Sequence, residues 1–394
     1  MEIGRFKKIS VNVVLKYVII FIMNIKERLN LIKQVGEEIV AEEELRKLLE
    51  SGEELIAYDG FEPSGQMHIA QGILRAINVN KMIKAGVRFK MLVADWHAMA
   101  NNKMGGDLEK IKIVGRYFIE VWKASGMDLS KVEFVWASDL VKDPEYWKLV
   151  IRVGRSNALR RFIRTAEIMG RQESLDNLTG AMIIYSCMQT ADIFYLGAKI
   201  CQLGMDQRKV NMLAREIGPI LGFWKPVVVS HHMLMGLSKP PVSTASVESR
   251  LAKSAIQRTI ERKMSKSIPD SAIFMTDTTE DIKRKINKAY CPEGVVEDNP
   301  ILEYYKYIVF ESLDRLGVDK IAISRPEKFG GEVILNSYED LEKKFANKEI
   351  HPADLKASLV SYLDKLIEPV RKHFEENKEA KELLKKVRSF QVTR

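Results

Sequence analysis

Residues 55–71 read Leu-Ile-Ala-Tyr58-Asp-Gly60-Phe-Glu62-Pro-Ser-Gly65-Gln-Met-His68-Ile-Ala-Gln71. A short apolar run ends in a turn rich in Gly and Pro, and a helix start follows at His68, so the segment reads strand, turn, helix. A helix N-terminus presents free backbone N–H groups and the positive end of the helix dipole, a natural seat for a phosphate, and His68 adds a donor at that end. Taken alone, a histidine in such a place is more often a cap or a packed surface residue.

Further along the chain the same alternation repeats. Apolar runs at Leu55–Tyr58, Phe89–Ala94, Val132–Ala137, Ala198–Cys201 and Pro226–Val229 read as strands, separated by helical periodicity beginning near His68, Leu108, Pro144 and Gln207. Each helix is long enough for a parallel crossover, so the spacing predicts an α/β fold with a Rossmann-like, doubly wound parallel sheet. Residues 236–263, with Pro240 and Pro241 followed by Ser and Thr, break the pattern as a linker. From about Thr279 the periodicity is mostly helical, through Ile301–Leu313, Leu355–Phe374 and a charged helix ending near Val387. The expected organisation is an N-terminal extension of uncertain status at 1–22, a catalytic domain at 23–262, a loop and linker at 263–290 and a helical domain at 291–394.

The 394 residues, 46% of them hydrophobic, suffice for two domains of ordinary globular composition. A net charge of +9 favours a polyanionic partner. Cys187, Cys201 and Cys291 form no CxxC pair and lack zinc-site spacing, which fits free buried thiols in a reducing compartment. Arg5, Lys7 and Lys8 precede an apolar run from Ile9 to Met23, but Lys16 interrupts it, no small-residue cleavage site follows, and it is too short to span a bilayer. Met23, directly before an amphipathic helix, reads as the natural start.

Neither GxxxxGK[ST] nor GxGxxG occurs, so phosphates must be held by other means. Lys263-Met264-Ser265-Lys266-Ser267 supplies two lysines and two hydroxyls just after the linker. Lysine donors aimed at developing charge on a transferring phosphoryl group lower the barrier without covalent help from the protein. Such a run in isolation is usually a solvated loop; the information lies in the combination. On a Rossmann-like core, His68-Ile-Ala-Gln71 together with Lys263–Ser267 resembles the class I aminoacyl-tRNA synthetases. Tyr185-Ser-Cys-Met-Gln189-Thr-Ala-Asp192 and Gly204-Met-Asp-Gln207-Arg208-Lys209 narrow this to similarity with the archaeal and eukaryotic tyrosyl-tRNA synthetases, running from about residue 25 to the C-terminus. The family's fuller His-Ile-Gly-His pattern is altered here by Ala70 and Gln71, and a glutamine amide can still donate to a phosphate oxygen, without charge.

The resemblance implies a ligase that activates L-tyrosine with ATP and magnesium and loads tRNA(Tyr), working as a cytoplasmic homodimer with no membrane attachment. His68, Gln71, Lys263 and Lys266 would be catalytic. ATP would lie against Gly60, Glu62, His68 and Lys263–Ser267. Tyr58 and Asp192 would meet the phenol hydroxyl, with Tyr185, Gln189 and Gln207 at the ammonium group. The residues agree, since Tyr185, Gln189 and Asp192 fall on one helical face, although a wet amphipathic face is the simpler reading of that spacing. A site built around the hydroxyl rejects phenylalanine by about 10⁵, a figure that belongs to tyrosyl-tRNA synthetases themselves, and makes editing unnecessary. The basic run Arg152, Arg155, Arg160, Arg161, Arg164 and Arg171 would face the tRNA acceptor stem, and Arg208 and Lys209 would also contact the tRNA. Arg325–Gly331 and His351–Lys356 resemble the anticodon-binding domain, with Phe329 stacking on a base and Asp354 accepting a hydrogen bond from it. His97 is read equally as pocket lining or as a packed histidine.

Two other readings stay open on sequence alone. A tryptophanyl-tRNA synthetase would share the fold and chemistry but replace the Tyr58 and Asp192 pair with groups suited to an indole N–H. A non-catalytic synthetase-like RNA-binding protein would explain Ala70 and Gln71, and the intact Lys263–Ser267 argues against it.

Overall fold

The computed structural model describes residues 23–166, 179–239, 264 and 269–390. At its centre is a six-stranded sheet: β1 (Gly36–Val40), β2 (Ile56–Phe61), β3 (Arg88–Val93), β4 (Val132–Trp136), β5 (Ile200–Cys201) and β6 (Val227–His231), in the order β1-β6-β5-β2-β3-β4. Strands β2 to β6 pair in parallel and β1 joins antiparallel at the edge of β6. The five expected strands are therefore present with ends moved by a few residues. Strand β1 was not anticipated, because Gly-Glu-Glu-Ile-Val carries too little apolar alternation to read as a strand.

All five residues of β6 are buried, as expected of a strand covered on both faces. On β2 the two-residue period splits the strand: Ala57 and Phe61 join the core beneath one face, while Tyr58 joins the core on the other. The chain runs outward from β2 through β3 to β4, then returns to lay β5 on the other side of β2. Ligands of open α/β sheets bind at such a reversal, outside the carboxyl ends of the strands. Here those ends carry Gly60–Glu62 and Gly204–Gln207.

The start of the helix after β2 differs from expectation. His68 is not its first residue but stands in an isolated antiparallel bridge opposite Phe274. A π-turn at Ala70–Leu74 follows, and the regular helix covers Arg75–Lys84. At Gly72 an added Cβ would lie 2.4 Å from the Met275 sulfur, so glycine makes room for that side chain. The first described helix, Ile25–Lys33, begins just after Met23 and is closed by a reciprocal capping box between Asn24 and Glu27.

After residue 279 the chain is mostly helical, with Thr279–Lys288, Pro300–Tyr304, Tyr338–Ala346, Pro352–Glu376 and Lys378–Ser389. A two-stranded ribbon of β7 (Ile321–Ile323) and β8 (Val333–Leu335) interrupts them, too short to leave a sequence signal. One apolar core runs from β2 and β3 into these helices, through Tyr304, Tyr305, Leu355 and Leu359. No helix among the described residues is long and apolar enough to cross a membrane.

Candidate active site

Tyr58 projects from the middle of β2 and is almost wholly buried. Burial chiefly, with Cys201 and the Asp192 carboxylate nearby, raises its phenol well above the usual range, so the group is a neutral hydroxyl. Asp192 faces it from the helix Gly180–Tyr195. One Asp192 oxygen accepts from the Tyr146 hydroxyl at 2.8 Å, and the other lies 3.0 Å from Nε2 of His97. Burial works against a charge on His97, but the Asp192 carboxylate outweighs it and raises the imidazole above its ordinary value. Asp192 is thus a buried acceptor held in place by two side chains.

Along the same helix the i, i+4, i+7 spacing brings Tyr185, Gln189 and Asp192 onto one buried face, so the wet-face reading of that helix is wrong. The Tyr185 ring meets His97 edge-on at 5.2 Å. Burial and the adjacent Glu62 carboxylate lift its phenol well above the usual range. Gln189 donates from Nε2 to Oε1 of Gln207 at 2.9 Å, joining the helix to the turn after β5. Glu62 accepts from Asn101 at 2.9 Å and has Lys103 at 3.7 Å. Tyr58, Tyr185, Gln189, Asp192 and Gln207 therefore converge, with His97 among them as a pocket residue bound to Asp192 as well as a packed one.

Beside this pocket, Ile69 donates its amide to the Ile273 carbonyl at 2.8 Å, and Met275 donates to Met67 at 2.9 Å. Residues 67–69 are so laced to 273–275 by backbone hydrogen bonds. The π-turn is steadied by Trp122, whose indole N–H donates to the Gln71 carbonyl at 2.8 Å, while the Gln71 side-chain oxygen is buried without a hydrogen-bond partner. Lys263, Ser265, Lys266 and Ser267 lie outside the described residues. Met264 is described and buried, its sulfur 3.8 Å from the Tyr304 hydroxyl.

Sequence reasoning missed two parts of the site. Tyr146 gave no signal, being one apolar position of an amphipathic helix, Pro144–Arg155. The buried Arg75 pairs with Asp59 at 2.6 Å and reaches Gln202 at 2.9 Å and His231 at 2.9 Å. Burial lifts the Asp59 carboxyl to about 7 despite the guanidinium beside it. Burial and Arg75 together hold His231 neutral. This network fastens β2 to the residue after β5 and to β6, both on the same side of it.

Of the basic residues, Arg155, Arg160 and Arg164 are exposed. Arg152, also exposed, donates to the Leu221 carbonyl at 2.7 Å, Arg161 grips Glu216 through two bonds, and Arg208 pairs with Glu38 at 2.6 Å. Lys209 is exposed beside Arg208, and Arg171 lies outside the described residues. Phe329 is 61% exposed on a short turn, with the Lys328 ammonium 4.9 Å from its ring centre. Arg325 donates to the Gly331 carbonyl at 2.6 Å and to the Glu349 carbonyl at 2.8 Å, tying the Phe329 loop to the chain leading to Asp354. His351, not Asp354, caps the helix Pro352–Glu376 by accepting from the Ala353 amide, and Asp354 lies in its first turn.

Residues 50–368 match the family of class I tRNA synthetases (W and Y). The chain is 48% identical to the cytoplasmic tyrosine–tRNA ligase 1 of Arabidopsis thaliana, over 94% of this chain and 90% of that one. Its fold is similar to that of the Leishmania major tyrosyl-tRNA synthetase in complex with tyrosinol, with TM-score 0.82 and 45% identity, covering 94% of this chain and 61% of that one. It is also similar to the Pyrococcus horikoshii tyrosyl-tRNA synthetase complexed with L-tyrosine, with TM-score 0.84 and 38% identity, over 92% and 100% of the two chains.

Proposed function

The chain belongs to the tyrosyl-tRNA synthetase family of class I aminoacyl-tRNA synthetases, and we infer from this that it activates L-tyrosine with ATP and transfers it to tRNA(Tyr). The observation that carries the choice of amino acid is the buried pair of Tyr58 and Asp192 at the reversal point of the sheet. A phenol hydroxyl entering there donates to the Asp192 carboxylate and accepts from Tyr58. Gln189, Tyr185 and Gln207 supply oxygens for the ammonium group. An indole has one donor and no acceptor in that plane and leaves the Tyr58 hydroxyl without a partner, which disfavours tryptophan.

Chemistry begins with attack of a tyrosine carboxylate oxygen on the α-phosphorus of ATP; the bond to the bridging oxygen breaks and pyrophosphate leaves. A ribose hydroxyl of the terminal tRNA adenosine then attacks the adenylate carbonyl, and AMP leaves. No side chain forms a covalent bond. Catalysis on this reading is positioning and charge stabilisation, by His68 and the Gln71 amide from one side and by Lys263 and Lys266 from the other, with Gly60 and Glu62 bordering the nucleotide. Magnesium is proposed to arrive on the ATP phosphates, since among the described residues no cluster of three or more His, Cys, Asp or Glu could hold it.

Arg155, Arg208 and Lys209 are assigned to the tRNA backbone, and Phe329 and Asp354 to the anticodon. The domain limits given above accompany that assignment. Exposed Ile151, Leu159 and Ile184 support a homodimer, and the similarity to a cytoplasmic relative supports that location. Amino-acid-dependent exchange of pyrophosphate into ATP tests the reading. Exchange should require tyrosine; exchange with tryptophan instead, or none with either, would reject it.

A further inference from the structure

We infer that Lys285 is a positioning residue for adenylation, setting the backbone of His68 through the segment Ala272–Asp277. This rests on the function proposed above, in which His68 is a donor to the phosphates. Lys285 lies on the helix Thr279–Lys288 and is almost wholly buried. A buried ammonium is tolerated only where acceptors meet it. Its Nζ donates to the Ala272 carbonyl at 2.9 Å and to Oδ2 of Asp277 at 2.6 Å, and it lies 4.6 Å from the centre of the Phe274 ring. One side chain therefore grips both ends of that segment and touches the ring between them.

Asp277 carries the hold inward. The oxygen that receives Lys285 also accepts from the Phe274 amide at 2.9 Å, while the Asp277 amide donates to the Phe274 carbonyl at 3.1 Å. Both backbone polar groups of Phe274 are thus used within the turn, and its neighbours make the rungs to residues 67–69: the Ile273 carbonyl takes the Ile69 amide at 2.8 Å, and the Met275 amide donates to the Met67 carbonyl at 2.9 Å. This is the pattern of a non-hydrogen-bonded antiparallel pair, in which His68 faces Phe274 and is fixed by the residues on each side of it. A buried ion pair alone is weak evidence for anything beyond packing. Here the pair closes on the residue that stands opposite His68, and a phosphate donor acts only if it is placed to within a fraction of an ångström.

The test is pyrophosphate exchange by the full chain as wild type, Lys285→Met, His68→Ala and the two changes combined, with melting temperatures measured alongside. Lys285→Met is expected to lower kcat by about tenfold or more, since a displacement on the order of 1 Å at a reacting group costs up to about a hundredfold. KM for tyrosine should stay unchanged, because Tyr58 and Asp192 sit on other elements. In His68→Ala the same change should lower kcat no further, since a residue that acts through His68 has nothing left to place. Unchanged kcat in Lys285→Met or in His68→Ala, effects that multiply in the combined variant, or a KM for tyrosine that moves with kcat would each overturn the inference. Lys285→Met leaves the Asp277 carboxylate without its partner, so if it melts early, Lys285→Met with Asp277→Asn, which buries no unpaired charge, replaces it under the same criteria. Wild-type protein inactive with tyrosine would reject the proposed function; an active wild type that responds to His68→Ala but not to the Lys285 variants rejects only the role of Lys285.

Discussion

His68 stands directly across an antiparallel bridge from Phe274, so residues 67–69 and 273–275, far apart in the chain, are joined by backbone hydrogen bonds. Gly72 leaves room for the Met275 side chain, which occupies the space a Cβ would need. Gly72→Ala is therefore expected to destabilise the protein by about 1–3 kcal/mol through overpacking, and to lower adenylation more than tyrosine affinity. Thermal melting together with exchange kinetics checks this; a variant as stable and as active as wild type would show that Met275 can move aside.

Asp192 receives the Tyr146 hydroxyl on one oxygen and has His97 close to the other. Tyr146→Phe removes a donor from a buried carboxylate, and the cost of such an unmade bond is about 1–3 kcal/mol. KM for tyrosine should rise by about tenfold or more while discrimination against phenylalanine falls. Asp192→Asn should do the same more strongly. Steady-state exchange with both amino acids provides the measurement, and unchanged selectivity in Asp192→Asn would remove it from the phenol site.

His232 stacks on Tyr307 at 4.2 Å between the carboxylates of Glu37 and Glu303. Burial lowers its pKa, but the hydrogen bonds to Glu303 and Glu37 override burial and lift it to about 9. A raised folded pKa gives stability that is fully present below the unfolded value near 6.5 and lost as pH climbs through 9. Melting temperature should accordingly fall between pH 6.5 and 9.5, with a linkage on the order of 2–3 kcal/mol. His232→Gln should flatten that slope, and an equal slope in both proteins would dismiss the ion pair as its source.

Much of this was legible in the residues, and the reasons differ by element. Strand β6 could be read because Val227–Val229 is a continuous apolar run, whereas β1 was hidden because an edge strand with Glu37 and Glu38 lacks that pattern. Tyr185, Gln189 and Asp192 shared a face by spacing alone, yet whether that face was wet or buried depended on β2 lying opposite. Tyr146 and Arg75 were invisible because their roles come from partners far away in the chain, and local periodicity carries no record of them.

Arg325 ties the turn that carries Phe329 to the chain leading to Asp354, and under the proposed function these two residues supply the aromatic platform and the carboxylate acceptor that an unstacked base would need. Phe329 is 61% exposed, which leaves its ring accessible to a base. Stacking contributes about 1–3 kcal/mol per base, so Phe329→Ala should weaken tRNA affinity by about tenfold or more and leave pyrophosphate exchange untouched. Asp354→Ala should instead relax the choice of base, so that anticodon-substituted tRNA is charged closer to the normal rate. The competing explanation, that Asp354 serves the helix it begins, is weakened by His351 holding the cap position. Without a capping role, removing Asp354 forfeits only its first-turn interaction with the helix dipole, about 0.3–1 kcal/mol. Charging kinetics on wild-type and anticodon-substituted tRNA, with melting temperature as control, separate these outcomes. If Asp354→Ala discriminates between the two tRNAs as well as wild type does, Asp354 does not read the anticodon, whatever happens to its stability.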